Sequence, residues 1–269
     1  MVGSADSRVY TENRSPVKNQ LKTSDLKSYL KAQNLCEEVL QEASSFCQPG
    51  LSEKEMSALM LSLFKQKGVK HFFHQPFAWF GERSRFENFK LPTDFMPTPR
   101  TRKAGEPFIL DAAPVVEGHI CDVGLSFCET PSEVFQKGKK QLEHLYQMIP
   151  RWFEELPGTA EIWQKVDEEI RHQGMDNCHQ KYPFSVLGHR VYKSNPLRDI
   201  YLLRFGLISA QNILSHGLRS ELLGPKSTAT KEGLWALEPH LGLKGFGMKF
   251  EELLYFENGK AQWLKQMSL

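Results

Sequence analysis

The 269-residue sequence predicts an α+β fold made of two similar halves. Two observations carry this prediction. First, a pattern occurs twice: Pro49-Gly50 leads into a helical segment ending at Gly68, and Pro157-Gly158 into one ending at Gly174, with a two-residue difference in length. Each copy follows a long helical segment and precedes aromatic, strand-like sequence. Second, apolar strand-like runs flank Glu117-Gly118 and Asn258-Gly259, which are turn signals for antiparallel hairpins.

Taken in order, residues 1–22 are polar and lack periodicity, the composition of a disordered or loosely attached leader. Leu26, Leu30, Leu35, Val39 and Leu40 give an apolar stripe that predicts a helix over Asp25–Phe46. Ser52-Glu-Lys-Glu55 is a capping box for a second helix, to about Lys67. From His71 to Arg102, aromatics, charges and prolines predict a strand and a long loop. Thr130-Pro-Ser-Glu133 opens a third helix, ending near Leu156, and a fourth ends near Gly174. Beyond it lie Phe184–His189, a helical segment over Leu202–Leu218, a strand over Leu234–Pro239, a strand over Met248–Phe256 and a return strand over Ala261–Leu264.

Composition is that of an ordinary globular protein, with 40% hydrophobic and 25% charged residues. A net charge of +2 and the lack of a basic stretch interleaved with aromatics argue against nucleic acid as partner. No apolar run is long enough to span a bilayer, and the N-terminus lacks an apolar signal core. The five cysteines, Cys36, Cys47, Cys121, Cys128 and Cys178, show no metal-ligand spacing, and their odd number fits reduced thiols in a cytoplasm.

The chemistry starts at Phe108–Phe127, where Asp111 and Asp122 interrupt two apolar strands. If Glu117-Gly118 forms the loop, Val116 faces His119. Asp111 then lies five steps before Val116, and Asp122 three steps past His119. Both steps are odd, so alternation puts the two carboxylates on one face as diagonal neighbours. Unpaired buried carboxylates are very costly, so the pair needs positive company. Three later positions share the pattern of a polar ligand type within or beside an apolar strand: His189, Glu238 and Glu251. Four carboxylates and an imidazole suit divalent Mn, Fe, Co or Zn rather than a thiolate-selecting metal. Two such ions can hold a water between them, acidify it and polarise a carbonyl.

At this point the chain resembles the pita-bread metallopeptidase family, which includes methionine aminopeptidases and Xaa-Pro peptidases. The resemblance covers residues 25–264. It rests on Asp111-x10-Asp122 in a hairpin with a glycine turn, Gly188-His189, Glu238-Pro239, and Phe250-Glu251 ahead of an Asn-Gly hairpin. It implies two pseudo-symmetric α+β halves around a curved, mostly antiparallel sheet, forming one catalytic domain over 23–269. It also implies two divalent ions per chain and an aminopeptidase that cleaves the N-terminal residue of a peptide, or a small amide, by attack of a metal-bridging hydroxide. Asp111 would bind one ion and His189 and Glu238 the other, with Asp122 and Glu251 bridging. Glu238 would take the proton of the attacking water, and Glu238 and His189 are the expected catalytic pair. Glu252 competes for the place of Glu251.

The sequence departs from the family at its two substrate-contacting histidines. No histidine occurs in Arg190–Pro196, and the segment after Gly81 carries aromatics and charges instead. His71, His74, His216 and His240 are the candidates to replace them. The interval from Leu197 to Lys226 is an insertion placed to form a pocket wall or a homodimer contact. Two alternatives stay open: a non-catalytic metal-binding or protein-interaction member of the fold, and a metal-free amidinohydrolase.

Overall fold

The computed structural model describes residues 21–193 and 218–269. Residues 1–20 of the expected leader, His216 and the segment over 202–217 lie outside the described residues.

Four helices define the halves: α1 (Thr23–Ser45), α2 (Glu53–Gln66), α3 (Glu133–Glu155) and α4 (Thr159–His172). α1 and α3 are both 23 residues long, and α2 and α4 both 14. The repeat in the sequence is therefore a repeat in structure. Its two-residue difference is Leu51-Ser52, inserted ahead of α2. Ser52 there forms the expected capping box: its hydroxyl accepts from the Glu55 N–H at 3.2 Å, and the Glu55 carboxylate accepts from the Ser52 N–H at 2.8 Å. α4 starts from Gly158 without a side-chain cap.

In chain order the strands are β1 (His71–Phe80), β2 (Phe108–Val116), β3 (His119–Ile120), β4 (Val123–Phe127), β5 (Asp176–Asn177), β6 (Gly188–Arg190), β7 (Leu222–Leu223), β8 (Gly233–Leu237), β9 (His240–Leu243), β10 (Phe246–Lys249), β11 (Glu252–Glu257) and β12 (Lys260–Trp263). They form three antiparallel sheets. In the first, β2 is flanked by β1 on one side and by β3 and β4 on the other; the others run β10-β9-β5 and β12-β11-β8-β6-β7. α1 and α2 cover the first sheet; Leu26, Val39 and Leu40 of the expected stripe are buried there together with Tyr29, Ala32 and Cys36, while Leu30 and Leu35 are half-buried at its margin. α3 and α4 cover the other two around Leu145, Ile149, Trp235 and Trp263.

The expected single strand over Met248–Phe256 is instead two strands in different sheets. Phe250 and Glu251 form the joint between β10 and β11. The reason is a cross-link: the Glu251 N–H donates to the Gly124 carbonyl at 2.8 Å, and the Gly124 N–H to the Glu251 carbonyl at 3.4 Å. The Glu251 backbone thus bonds to β4 of the first half.

The long loop after β1 is held by Glu53, whose buried carboxylate accepts from the Phe80 N–H, the Arg83 guanidinium, and the Thr98 N–H and hydroxyl. That anchorage keeps Phe86, Phe89 and Phe95 packed against Trp79 and Tyr182. No helix among the described residues is long and apolar enough to cross a membrane.

His179 gives the fold an acid limit. Its ring is fully buried, and the Asn177 amide donates to its Nε2 at 2.8 Å, a contact that suits the neutral imidazole. Burial pushes its pKa down to about 3, against an opposing effect of Asp167. Between the unfolded value, about 6.5, and that folded value only the unfolded chain takes up the proton. Stability is therefore lost as pH falls through this window, by about 1.4 kcal/mol per pH unit for one proton. Urea unfolding at pH 7 and pH 4.5 checks this: His179→Gln loses less stability between the two than the parent protein.

Candidate metal centre

The acidic hairpin has the register that strand alternation predicts. Val116 pairs with His119 and Val115 with Ile120; beyond a break at Cys121-Asp122, Ala112 pairs with Val123 and Asp111 with Gly124 in the same offset. The break falls opposite Pro114, which has no N–H for the ladder, and the Cys121 N–H still donates to its carbonyl. Asp122 therefore lies across from Ala113, diagonal to Asp111. On the other side of β2, two register shifts in β1 bring His74 opposite Ala113 as well. The small Ala113 side chain lets the flanking His74 and Asp122 meet over it, with Nε2 3.1 Å from Asp122 Oδ1 and 3.5 Å from Asp111 Oδ1.

The second half supplies the other side. His189 on β6 pairs with Ala236 of β8 and sets its Nε2 3.2 Å from Asp122 Oδ2. Glu238 directly follows β8, fixed by its N–H donating to the Leu187 carbonyl at 2.8 Å. Glu251 enters from the joint between β10 and β11. Asp111, Asp122, His189, Glu238 and Glu251 thus come together, all buried, in groups whose ligand atoms lie within 4.8 Å of one another. Glu252 points elsewhere, to Gln33 and the Tyr146 hydroxyl. Cys121 also faces away from the acids, into the core beneath α1. Of the candidate histidines, His74 joins the acids and His71 is exposed. His240 is buried against Phe86, with its Nδ1 3.1 Å from the Tyr182 hydroxyl.

Lys249 is the residue that the spacing of ligand types does not flag. Its ammonium is 2.8 Å from both Glu238 Oε2 and Glu251 Oε2, and it also pairs with Asp111. A signal for it exists in the sequence. Lys249 and Glu251 are two residues apart, so extended backbone that turns Glu251 inward turns Lys249 inward too.

Electrostatics follow from this crowding. Burial opposes the Asp122 charge, but His74 and His189 hold its carboxyl well below the usual range. Burial also opposes a charged His74, yet Asp122 and Asp111 raise it to about 9. Glu238 and Glu251 are pushed up, first by burial and then by neighbouring carboxylates. Lys249 is held charged by Asp111, Glu238 and Glu251 despite burial.

The sequence profile of metallopeptidase family M24 matches residues 27–256. The chain belongs to this family. Its fold is similar to that of an X-Pro aminopeptidase from Thermotoga maritima (TM-score 0.68, 15% identity, covering 92% of this chain and 62% of that one). A prolidase from Pyrococcus furiosus gives 0.65 at 16% identity, over 92% and 65%. A methionine aminopeptidase from Thermotoga maritima gives 0.59 at 14%, over 92% and 98%. These likenesses carry the pita-bread fold, which the M24 chain shares. The chain spans less than two thirds of the length of the X-Pro aminopeptidase and the prolidase. No curated protein matches it by sequence.

The donor set fits a divalent ion. His74 Nδ1 lies 3.0 Å from the Gln75 carbonyl and His189 Nδ1 2.9 Å from the Arg190 carbonyl. Each Nδ1 must donate there, which leaves Nε2 of the neutral ring with a lone pair aimed at a carboxylate oxygen. Facing lone pairs at such distances call for a proton or a metal between them. Asp111 Oδ1, buried without a hydrogen bond, adds a further donor atom. The Asp122, His189 and Glu251 atoms form one group able to hold an ion, whereas the Asp111, Glu238 and Glu251 group encloses the Lys249 ammonium.

Gly188 sets the approach of the His189 strand. A Cβ there would fall 2.1 Å from the Ala236 carbonyl oxygen, which is backbone and cannot give way. Gly188→Ala is expected to cost about 1–3 kcal/mol. Thermal unfolding of the variant checks this, a lowered Tm being the expected outcome.

Proposed function

We propose that the chain is a metal-dependent hydrolase of peptides, an aminopeptidase releasing the N-terminal residue. In this reading Asp111, Asp122, His189, Glu238 and Glu251 line two adjoining cation places, the ion being Mn²⁺, Co²⁺, Fe²⁺ or Zn²⁺. The observation that carries it is the pair of imidazoles, each with Nδ1 committed to a backbone carbonyl and Nε2 turned on a carboxylate. A divalent ion between them satisfies both lone pairs at once.

A bound divalent ion supplies acidification of a water molecule and polarisation of the scissile carbonyl. The chain's own residues do the rest. Glu238, whose proton affinity burial and Asp111 raise, accepts the proton of the attacking water and returns it to the departing amine. His189 is held in its tautomer by the Arg190 carbonyl. His74, stacked on Phe77 with centroids 4.9 Å apart, stands over the two aspartates and is held in its tautomer by the Gln75 carbonyl. Phe73 packs beside His189 and Phe77 against Trp79, an aromatic border suited to an apolar side chain. The five free thiols support a reducing, cytoplasmic setting.

A second reading has one specific observation in its favour. Lys249 already neutralises much of the acid cluster, as befits a member of the fold that binds without turnover. Peptide panels assayed on protein reconstituted with each of the four ions separate the two. Aminopeptidase activity is expected, abolished by chelator and reduced by more than about 100-fold in Asp122→Asn and His189→Ala, beyond the loss typical of an outer-shell partner. Absence of turnover on every peptide with every ion overturns the hydrolase reading, and activity surviving full metal removal points to metal-free chemistry.

A further inference from the structure

We propose that the Lys249 ammonium permanently takes one of the two cation places, so that the centre holds one divalent ion, on the Asp122, His189 and Glu251 side, rather than two. This rests on the reading of the centre as a metal site.

An ammonium group has three N–H donors, and Lys249 meets three carboxylates: Asp111, Glu238 at 2.8 Å and Glu251 at 2.8 Å. The same three form one of the groups able to hold a metal. An ion bonded to all of them at about 2.0–2.2 Å would have to stand where the nitrogen stands. Steric exclusion, not affinity alone, sets the count.

The lysine is built into its place. Its backbone is clamped by Ser126, whose hydroxyl accepts from the Lys249 N–H and donates to the Lys249 carbonyl, both at 2.8 Å. Its stem runs over Gly124, where a Cβ would lie 2.3 Å from Cε. Trp79 and Tyr182 rings lie 5.9 and 5.7 Å from the nitrogen, and the side chain is 1% exposed. Among the described residues, carrying the ammonium to water means opening that packing. Charge points the same way: two divalent ions with an ammonium would exceed the charge of the four carboxylates, and one ion with the ammonium would not.

The full-length protein, dialysed against Mn²⁺, tests this by ion count per chain and by the electron paramagnetic resonance of the bound Mn²⁺. One ion per chain with the spectrum of an isolated Mn²⁺ is expected, rising to two exchange-coupled ions in Lys249→Ala. Two ions in the parent protein overturn the inference and leave the metal-site reading standing. A single ion in folded Lys249→Ala overturns the role given to the lysine. No bound ion in either protein removes the metal-site reading itself, and the inference with it. Should Lys249→Ala fail to fold, the count and spectrum of the parent protein decide alone.

Discussion

Four carboxylates buried within a few ångströms of one another are the constraint on which the rest of this structure turns. Burying one unpaired charge costs several kcal/mol, and neighbouring like charges add to that. The chain meets the cost with positive groups placed by backbone geometry. Lys249 lies among Asp111, Glu238 and Glu251, while His74 and His189 approach Asp122 from opposite sides. Small residues make the approach possible: Ala113 beneath His74 and Asp122, Gly124 beneath the lysine stem, Gly188 where β6 meets β8.

The two halves contribute unlike parts of this centre. His74, Asp111 and Asp122 come from the first, and His189, Glu238, Lys249 and Glu251 from the second. Two of the ionic contacts, His189 to Asp122 and Lys249 to Asp111, are therefore also contacts between halves. The Glu251–Gly124 backbone bridge and the Ser126 clamp on Lys249 reinforce the same seam. Fold stability and site geometry are set by one group of interactions, so a change at the seam acts on both.

The elements set by local pattern were legible in the sequence. The hairpin parity placed Asp111 and Asp122 as diagonal neighbours because a period of two survives the break at Pro114. The repeat emerged as helix pairs of equal length, since Pro-Gly and glycine stops mark both ends. What pattern missed depends on register shifts or on partners distant in sequence. His74 faces inward only because β1 shifts register twice, which no alternation rule reports. The split of the strand over Met248–Phe256 arises from Gly124, 127 residues before Glu251. Lys249 is hidden for a different reason: a lysine in a strand is ordinarily a solvated residue, and only its shared face with Glu251 argues otherwise.

That lysine changes how the centre divides its work. A divalent ion can neutralise acids and also polarise a carbonyl, whereas an ammonium neutralises and donates hydrogen bonds but has no vacant coordination position. With Lys249 holding Asp111, Glu238 and Glu251, the seam keeps a cation whether or not a metal is present. The remaining place, beside His189 and Asp122, is then the one available for chemistry. Glu238 borders both, hydrogen-bonded to the lysine through Oε2. The tethered charge that stabilises the acids therefore also orients the carboxylate assigned to move the proton.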